Sequence, residues 1–185
     1  MTLLSNRYSC LILVDIQEKL LPVMADSEGV VKNAALLCAL ARSLDIPIIA
    51  SQQYPQGLGE THASLRPYIE TSSMRIDKVT FSAAASPDFL GALCRHEARK
   101  QLVIVGIEAH ICVLQTALDL LRRGYQCFVV VDGVSSRKKA SVDVALSRLQ
   151  QQGCSAVTTE MVLFEWLQKA GTPLFKEISQ KIRSG

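Results

Sequence analysis

The stretch Leu102-Val-Ile-Val-Gly-Ile107, followed by Glu-Ala-His-Ile-Cys112, decides the fold of this chain. Its first part contains only apolar residues and Gly, which is typical of a buried parallel strand. The next residues, 113–123, place apolar side chains at helical spacing, and Gly124 follows where a helix would end. Cys112 is therefore expected at or near the N-terminus of a helix that begins at the carboxyl end of a strand.

Two interpretations of Cys112 follow from this placement. A helix N-terminus favours negative charge, so a thiol there would be biased toward the thiolate and could serve as a nucleophile. A free cysteine is also commonly a small buried apolar residue. This segment alone leaves both interpretations open.

Strand and helix patterns alternate along the whole chain. Strands are predicted at residues 10–15, 46–51, near 74–79, and at 102–107, 126–132 and 155–159. Helices are predicted at residues 30–44, 87–98, 113–123, 137–151, 161–169 and 173–182, with a polar loop at 52–61. This alternation predicts one α/β domain over residues 1–185, with a Rossmann-like, six-stranded parallel sheet between two helix layers (three-layer α/β/α).

The expected strand order is 3-2-1-4-5-6, in which the ligand-binding crevice opens between strands 1 and 4. Strand 1 ends in Asp15, and strand 4 leads to Cys112. These two residues are therefore expected to be neighbours, which favours the nucleophile interpretation of Cys112.

The composition narrows the classes of function. The chain has 185 residues, of which 49% are hydrophobic, and a net charge of +3, which suits an enzyme-like domain with a sizeable core. No basic stripe with interleaved aromatic residues predicts nucleic-acid binding. The six cysteines form no C-x-x-C pair, and neither a signal peptide nor an apolar run that could span a membrane is evident, so a cytoplasmic location with reduced thiols is expected.

Asp15 and Lys78 are the candidate partners of Cys112. A carboxylate at the end of a buried strand is costly unless it is paired or functional, so Asp15 is either a turn or capping residue or a general base. Lys78 is either a solvated lysine at a strand end or a cation that stabilises thiolate, carboxylate and a developing oxyanion.

The motifs Leu-Val-Asp15-Ile-Gln17, Lys78-Val-Thr-Phe-Ser82 and Gly106-Ile-Glu-Ala-His-Ile-Cys112-Val resemble those of the isochorismatase-like cysteine hydrolases. The resemblance covers nearly the whole chain. It implies an Asp-Lys-Cys triad in which Asp15 is the base, Lys78 the electrostatic partner and Cys112 the nucleophile. It also implies a cis peptide bond between Ile107 and Glu108, with an oxyanion hole formed by the backbone amides of Glu108 and Cys112.

Two departures from related enzymes narrow the branch that this chain resembles. Nicotinamidases carry an Asp-x-His that binds a metal, whereas the matching stretch here, Ser51-Gln-Gln-Tyr-Pro-Gln-Gly-Leu-Gly59, has none, and His62 stands alone. We therefore expect no metal and no cofactor. True isochorismatases lack the cysteine, so its presence favours acyl transfer. The Gln-Tyr-Pro-x-Gly-Leu-Gly stretch resembles the branch called isochorismatase domain-containing proteins.

The residues expected to line the substrate pocket are Gln17, Gln53, Tyr54, Phe81 and His110. The two glutamines are suited to hold an amide or a carboxylate, and the two aromatic rings to pack a flat or apolar substrate. Phe81 is equally well explained by core packing, and His110 as a first-turn helix residue. The five other cysteines are expected to be core thiols.

The leading functional prediction is a metal-independent cysteine hydrolase that cleaves a small-molecule amide or related C–N bond through an acyl-enzyme. Two alternatives stay open, namely a non-catalytic binding or interaction module with the same fold, and a thiol sensor in which Cys112 is oxidised. The apolar residues of segment 161–182 predict an interface in a homo-oligomer. A small-molecule substrate is expected, and neither nucleic acid nor a membrane is an expected partner.

Overall fold

The computed structural model describes residues 3–69 and 75–183. Within them, one parallel sheet has the order β3-β2-β1-β4-β5-β6, which confirms the predicted three-layer fold. The strands are β1 Ser9–Val14, β2 Ile48–Gln53, β3 Arg75–Lys78, β4 Gln101–Ile107, β5 Gln126–Ser135 and β6 Ser155–Val157. The predicted start of strand 3, Met74, lies outside the described residues. β5 is longer than predicted and β6 shorter.

The α-helices are α1 Ser27–Ser43, α2 Pro55–Leu58, α3 Arg66–Ile69, α4 Pro87–Cys94, α5 Leu114–Arg122, α6 Lys139–Gln151, α7 Thr159–Leu167 and α8 Pro173–Arg183. α1 begins earlier than its apolar pattern indicates because Asp26 caps it, with Oδ1 accepting a hydrogen bond of 2.9 Å from the Gly29 N–H. Between β4 and α5, residues Ala109–Val113 form a π-helix, which the sequence pattern did not predict.

The two faces of the sheet bury separate apolar clusters, because successive strand residues point to opposite sides. Leu11 and Leu13 of β1 face α1, α7 and α8, whereas Ile12 and Val14 face α4, α5 and α6. The candidate site lies at the carboxyl edge of this sheet, where β1, β2, β3 and β4 end.

Gly106 allows β1 and β4 to approach closely at that edge. Its φ is +133°, and a Cβ at this position would lie 2.0 Å from the carbonyl oxygen of Val14. No other residue type fits such a contact without backbone movement, so a larger residue here would displace the turn that carries Cys112.

The apolar residues of the C-terminal segment are mostly used within the chain. Leu163, Trp166 and Ile178 are buried against α1 and the sheet, and Leu167 and Leu174 pack partly buried on the same cluster. The exposed large apolar side chains of this segment are Met161 and Phe164. The sequence therefore overestimated the apolar surplus, because α7 and α8 cover α1 as well as the sheet.

Four of the five cysteines that were predicted to be core thiols are buried, but Cys94 at the end of α4 is exposed. Its expected place in the core is therefore wrong. α4 ends at Cys94, well before the predicted end at Ala98, and the chain then continues in turns. In the described residues no helix is long and apolar enough to cross a membrane. The cytoplasmic location remains a prediction.

The buried thiols predict a loss of stability at alkaline pH. Burial raises the pKa of Cys10 to about 12 and that of Cys154 to about 11, from an ordinary value of 9.0. At a pH above 9.0 and below the raised pKa, each of these cysteines is a thiolate in the unfolded chain and a thiol in the folded chain. The unfolded state then binds fewer protons than the folded state, so the free energy of unfolding falls as pH rises. The slope is about 1.4 kcal/mol per pH unit for each such thiol. Urea titrations from pH 8 to 11 should therefore show a shallower decline for Cys10→Ala than for the wild type. Equal slopes would contradict this account.

Candidate active site

Asp15 follows β1 directly and is the centre of the site. Its backbone has a positive φ of 52°, and its side chain is fully buried. The Ser51 hydroxyl donates a hydrogen bond of 2.6 Å to Oδ1, and the Lys78 ammonium donates one of 2.7 Å to Oδ2. Both carboxylate oxygens thus have a partner, which offsets the cost of burying this charge.

Lys78 ends β3 and points inward rather than into solvent. Besides Asp15, its Nζ donates to Gln53 Oε1 at 2.6 Å and to the carbonyl oxygen of Thr80 at 3.1 Å. Its side chain is 1% exposed, so the ammonium depends on these acceptors for solvation. The solvated-lysine interpretation is therefore wrong.

Cys112 lies in the π-helix and is 7% exposed. Burial, followed by the charge of Asp15, raises the pKa of the Cys112 thiol to about 12, against the opposing charge of Lys78. A side-chain hydrogen bond to Asp15 acts in the same direction as burial. The predicted bias toward thiolate is wrong for this state, because burial of the thiol and the charge of Asp15 outweigh the opposing charge of Lys78. The site therefore places the Cys112 thiol beside the Asp15 carboxylate.

The turn before Cys112 contains the cis peptide bond that the resemblance implies. The peptide bond between Ile107 and Glu108 is cis. The carbonyl oxygen of Glu108 accepts hydrogen bonds from the N–H groups of Ile111 at 3.0 Å and Val113 at 3.2 Å. The Glu108 carboxylate pairs with Arg137, at 3.0 Å from Oε2 to Nε.

Gln17 and Gln53 hold the edge of the site together. The Gln17 amide is fully buried and donates to the carbonyl oxygens of Gln53 at 3.0 Å and Gly59 at 2.6 Å, while its Oε1 accepts from the Gln53 N–H at 2.7 Å. The Gln53 side chain accepts from Lys78 and donates to the carbonyl oxygen of Val79 at 2.9 Å. Both side chains have structural partners here, and their role as substrate ligands stays a prediction.

The three other predicted pocket residues lie on two sides of the site. Tyr54 is 53% exposed and lines a pocket of about 320 Å³ beside Lys78 and Thr80. Phe81 is 56% exposed, which rules out the core-packing interpretation. His110 is directed toward the end of β5, where its Nδ1 lies 2.9 Å from the Ser136 hydroxyl.

His62 lies outside the Asp15–Lys78–Cys112 group. Its Nδ1 is 2.9 Å from the Ser64 hydroxyl. In residues 3–69 and 75–183, no group of three or more His, Cys, Asp or Glu side chains is arranged to hold a metal ion.

Ser51 is the residue that sequence reasoning missed. It was assigned only to the end of strand 2, yet its hydroxyl contacts Asp15 and it is almost fully buried. The available signal was a polar residue at the carboxyl end of a buried strand next to the strand that ends in Asp15. Without the register, in which Val14 pairs with Ser51, this contact was not evident.

Replacing Ser51 by alanine is expected to lower both stability and activity. The change leaves Asp15 Oδ1 buried without its donor, which costs about 1–3 kcal/mol in the free energy of unfolding. Ser51→Thr keeps a hydroxyl and is the matched control. Urea unfolding and the rate of Cys112 acylation would measure the two effects. An alanine variant as stable and active as wild type would show that this hydrogen bond does not position Asp15.

Comparison with known proteins identifies the family to which the chain is similar. Residues 9–161 match the isochorismatase domain model. Isochorismatase domain-containing protein 2 of Danio rerio is 41% identical over 183 residues, covering 96% of this chain and 88% of the relative. The human protein of the same name is 38% identical, covering 95% of this chain and 83% of the relative.

Solved structures agree with this result. A structure described as the MAR1 ribonuclease of Caenorhabditis elegans has a TM-score of 0.89 and 33% identity, covering 98% of this chain and 93% of that one. The YcaC gene product of Escherichia coli, described as an octameric hydrolase of unknown specificity, shares the fold with a TM-score of 0.87 at 21% identity, covering 100% and 98% of the two chains. With the family model matching most of the sequence, the chain belongs to the isochorismatase family.

Proposed function

We propose that this protein is a metal-independent cysteine hydrolase that cleaves a small-molecule amide or related C–N bond through a covalent acyl-enzyme. The observation that carries the proposal is the buried group at the sheet edge, in which Asp15 contacts Lys78 and interacts with the Cys112 thiol. A nucleophile next to a base, with the base held by a third group, is the arrangement that nucleophilic catalysis requires.

In the proposed first half-reaction, Asp15 takes the proton from the Cys112 thiol as Sγ attacks the amide carbonyl carbon. The resulting oxyanion is bound by the backbone N–H groups of Glu108 and Cys112. Asp15 then gives its proton to the amine, the C–N bond breaks, and a thioester remains on Cys112. Because the thiol pKa is raised to about 12, proton transfer to Asp15 is needed for attack at neutral pH.

In the second half-reaction, water attacks the thioester while Asp15 takes one of its protons. The C–S bond breaks, Sγ recovers that proton from Asp15, and the carboxylic acid leaves. Lys78 keeps the Asp15 carboxylate in place through both steps and stabilises its charge. The oxyanion-hole assignment rests on the resemblance of the turn at residues 106–113 to the family motif.

We further propose that Tyr54 and Phe81 contact the substrate from the exposed rim of the site. Gln17 and Gln53 form the polar wall of the substrate pocket. His110 lies on the side of the pocket opposite the two aromatic rings. The exposure of both aromatic rings supports this role, since a large apolar side chain in water at the mouth of a polar site is suited to cover a ligand.

A panel of small amides tests the proposal. Purified protein treated with EDTA should release ammonia or amine from at least one amide, and rapid acid quenching should leave an acyl mass on the Cys112 peptide. Because the nematode structure is described as a ribonuclease, a short RNA belongs in the panel. RNA cleavage without amide hydrolysis, or activity lost on metal removal, would overturn the proposal.

The second candidate is a non-catalytic binding module. The near-complete burial of the Cys112 side chain is the observation that favours it. A ligand that binds without acylating Cys112, together with no turnover across the panel, would select this alternative.

We also propose that the protein forms a homo-oligomer with a small-molecule substrate as its ligand. Support comes from the Escherichia coli neighbour described as an octameric hydrolase, and from Met161 and Phe164, which are exposed apolar side chains in segment 161–182. Light scattering at micromolar concentration is expected to give a multiple of the chain mass. A monomeric mass would contradict the proposal.

A further inference from the structure

A second pocket lies between the π-helix that carries Cys112 and the start of α6. Its volume is about 330 Å³, and it is lined by His110, Arg137, Lys138 and Ser141. Two of these four residues are permanently cationic, and no acidic side chain is among them. The pocket is thus a concave surface built from hydrogen-bond donors and positive charge.

Arg137 is oriented toward this pocket by a specific contact. Its Nε and backbone N–H both donate to Glu108 Oε2, at 3.0 and 3.2 Å. In the part of the chain that the structure describes, no hydrogen bond is made by its two terminal Nη groups. The carboxylate therefore fixes the guanidinium while leaving its end free to meet a ligand, and this planar fork matches two oxygens of a carboxylate or phosphate.

The same pocket adjoins the first turn of α6. Lys138 occupies the N-cap position, no side chain caps the helix, and no acidic residue lies in its first turn. Cations are unfavourable at this end of a helix, where an anion is stabilised. Lys139 is already paired with both oxygens of Asp143, at 2.8 and 2.9 Å, whereas Lys138 has no ion pair within the described residues.

Glu108 connects the pocket to the nucleophile. Its carboxylate holds Arg137, and its charge acts on the Cys112 thiol. His110 lines the pocket from the π-helix that also carries Cys112. Glu108 and His110 thus link the cationic pocket to the chain segment that carries the thiol.

We propose that this pocket binds an oxyanion, a carboxylate or a phosphate, carried by the same small molecule whose amide reacts at Cys112. This assignment rests on the proposed hydrolase function and names its substrate class as small amides that bear an anionic group. Arg137 and Lys138 supply the charge, and Ser141 and the start of α6 supply neutral donors.

Calorimetric titration of the full chain tests binding without requiring turnover. The probes are glutarate for the carboxylate, glycerol phosphate for the phosphate, and the uncharged diamide glutaramide. We expect at least one anion to bind roughly tenfold or more tightly than glutaramide. Whichever of the two anions binds more tightly identifies the source of the oxyanion. Equal binding of all three probes would overturn the proposal.

Charge variants localise the site. Lys138→Gln should weaken binding of the anion roughly tenfold or more, and Arg137→Gln should do the same. Arg137→Gln also unpairs Glu108, so Lys138→Gln is the cleaner variant. Lys139→Gln removes the same charge one residue away without altering the pocket lining, and it should bind the anion like wild type. An equal loss of anion affinity in Lys139→Gln would show that binding depends only on net charge, and it would overturn the assignment of the pocket as the anion site.

Rates of amide hydrolysis test the anion-binding pocket separately from the proposed hydrolase function. Glutaramate should be cleaved with a kcat/KM at least about tenfold above that of butanamide, and Lys138→Gln should remove the difference through KM. Equal cleavage of the two amides would overturn the pocket and leave the hydrolase intact. Anion binding that depends on Lys138, with no amide cleaved, would leave the pocket intact and overturn the hydrolase.

Discussion

Replacing Cys112 by alanine is expected to abolish amide hydrolysis while leaving the fold intact. The loss in kcat should be about 10⁴-fold or more, because no other group in the site can form the acyl bond. The folded state loses one sulfur atom and one hydrogen bond to Asp15, so the free energy of unfolding should fall by only about 1–2 kcal/mol.

Ammonia release and the urea midpoint measure the two effects on the same preparation. Cys94→Ala is the matched control, because Cys94 is an exposed thiol outside the site and should be dispensable. Acyl adducts should form on the Cys112 peptide in the wild type and in Cys94→Ala. An active Cys112→Ala variant, or an adduct on another cysteine, would refute the nucleophile assignment.

The free thiols should respond differently to a simple alkylating reagent and to a substrate. Cys94 is accessible to iodoacetamide, whereas Cys112 is buried and protonated at neutral pH. From the sequence, Cys112 is predicted to be the most reactive of the six thiols toward alkylation, because it combines a helix N-terminus with a nearby lysine. Mass spectrometry after limited alkylation tests this prediction, and labelling of Cys94 before Cys112 would contradict it. The raised pKa of Cys112 also weakens the thiol-sensor alternative, which needs an accessible thiolate.

The sequence was sufficient to predict the fold, in which Asp15 and the turn that carries Cys112 follow neighbouring strands. Alternating strand and helix patterns imply right-handed crossovers and leave only a few possible strand orders. The observed order 3-2-1-4-5-6 brings the ends of β1 and β4 together. Lys78 could not be placed in the same way. A lysine at a strand end is usually predicted to be solvated, and only the β2–β3 register shows that it lies opposite Gln53.

Hydrogen-bond partners and burial were beyond the reach of the sequence. Gln17 was predicted as a substrate ligand because its amide suits one, but in the fold that amide holds the backbone at Gln53 and Gly59. The thiolate bias of Cys112 was inferred from a helix N-terminus, with Lys78 as a possible stabilising cation. It failed because the local structure is a buried π-helix beside a carboxylate, and desolvation outweighs the helix dipole there.

The buried pair of Asp15 and Lys78 should be the most sensitive ionic contact in the described structure. Their side chains are 0% and 1% exposed and 2.7 Å apart, so removing one partner leaves a charge in the protein interior. Lys78→Met is expected to lower the free energy of unfolding by about 3–5 kcal/mol and to abolish turnover. Asp15→Asn should be similarly severe in turnover, because Cys112 then lacks its base.

The double variant Asp15→Asn/Lys78→Met distinguishes stability from chemistry. It removes both charges, so it should recover most of the stability lost in Lys78→Met while remaining inactive. The exposed pair Lys139–Asp143, at 2.8 Å, is the matched control, and neutralising either of its partners should cost less than about 1 kcal/mol. Urea unfolding of the full double-mutant cycle measures the coupling. If the two single losses simply add in the double variant, Asp15 and Lys78 do not act as a pair, and the role of Lys78 in holding the base must be abandoned.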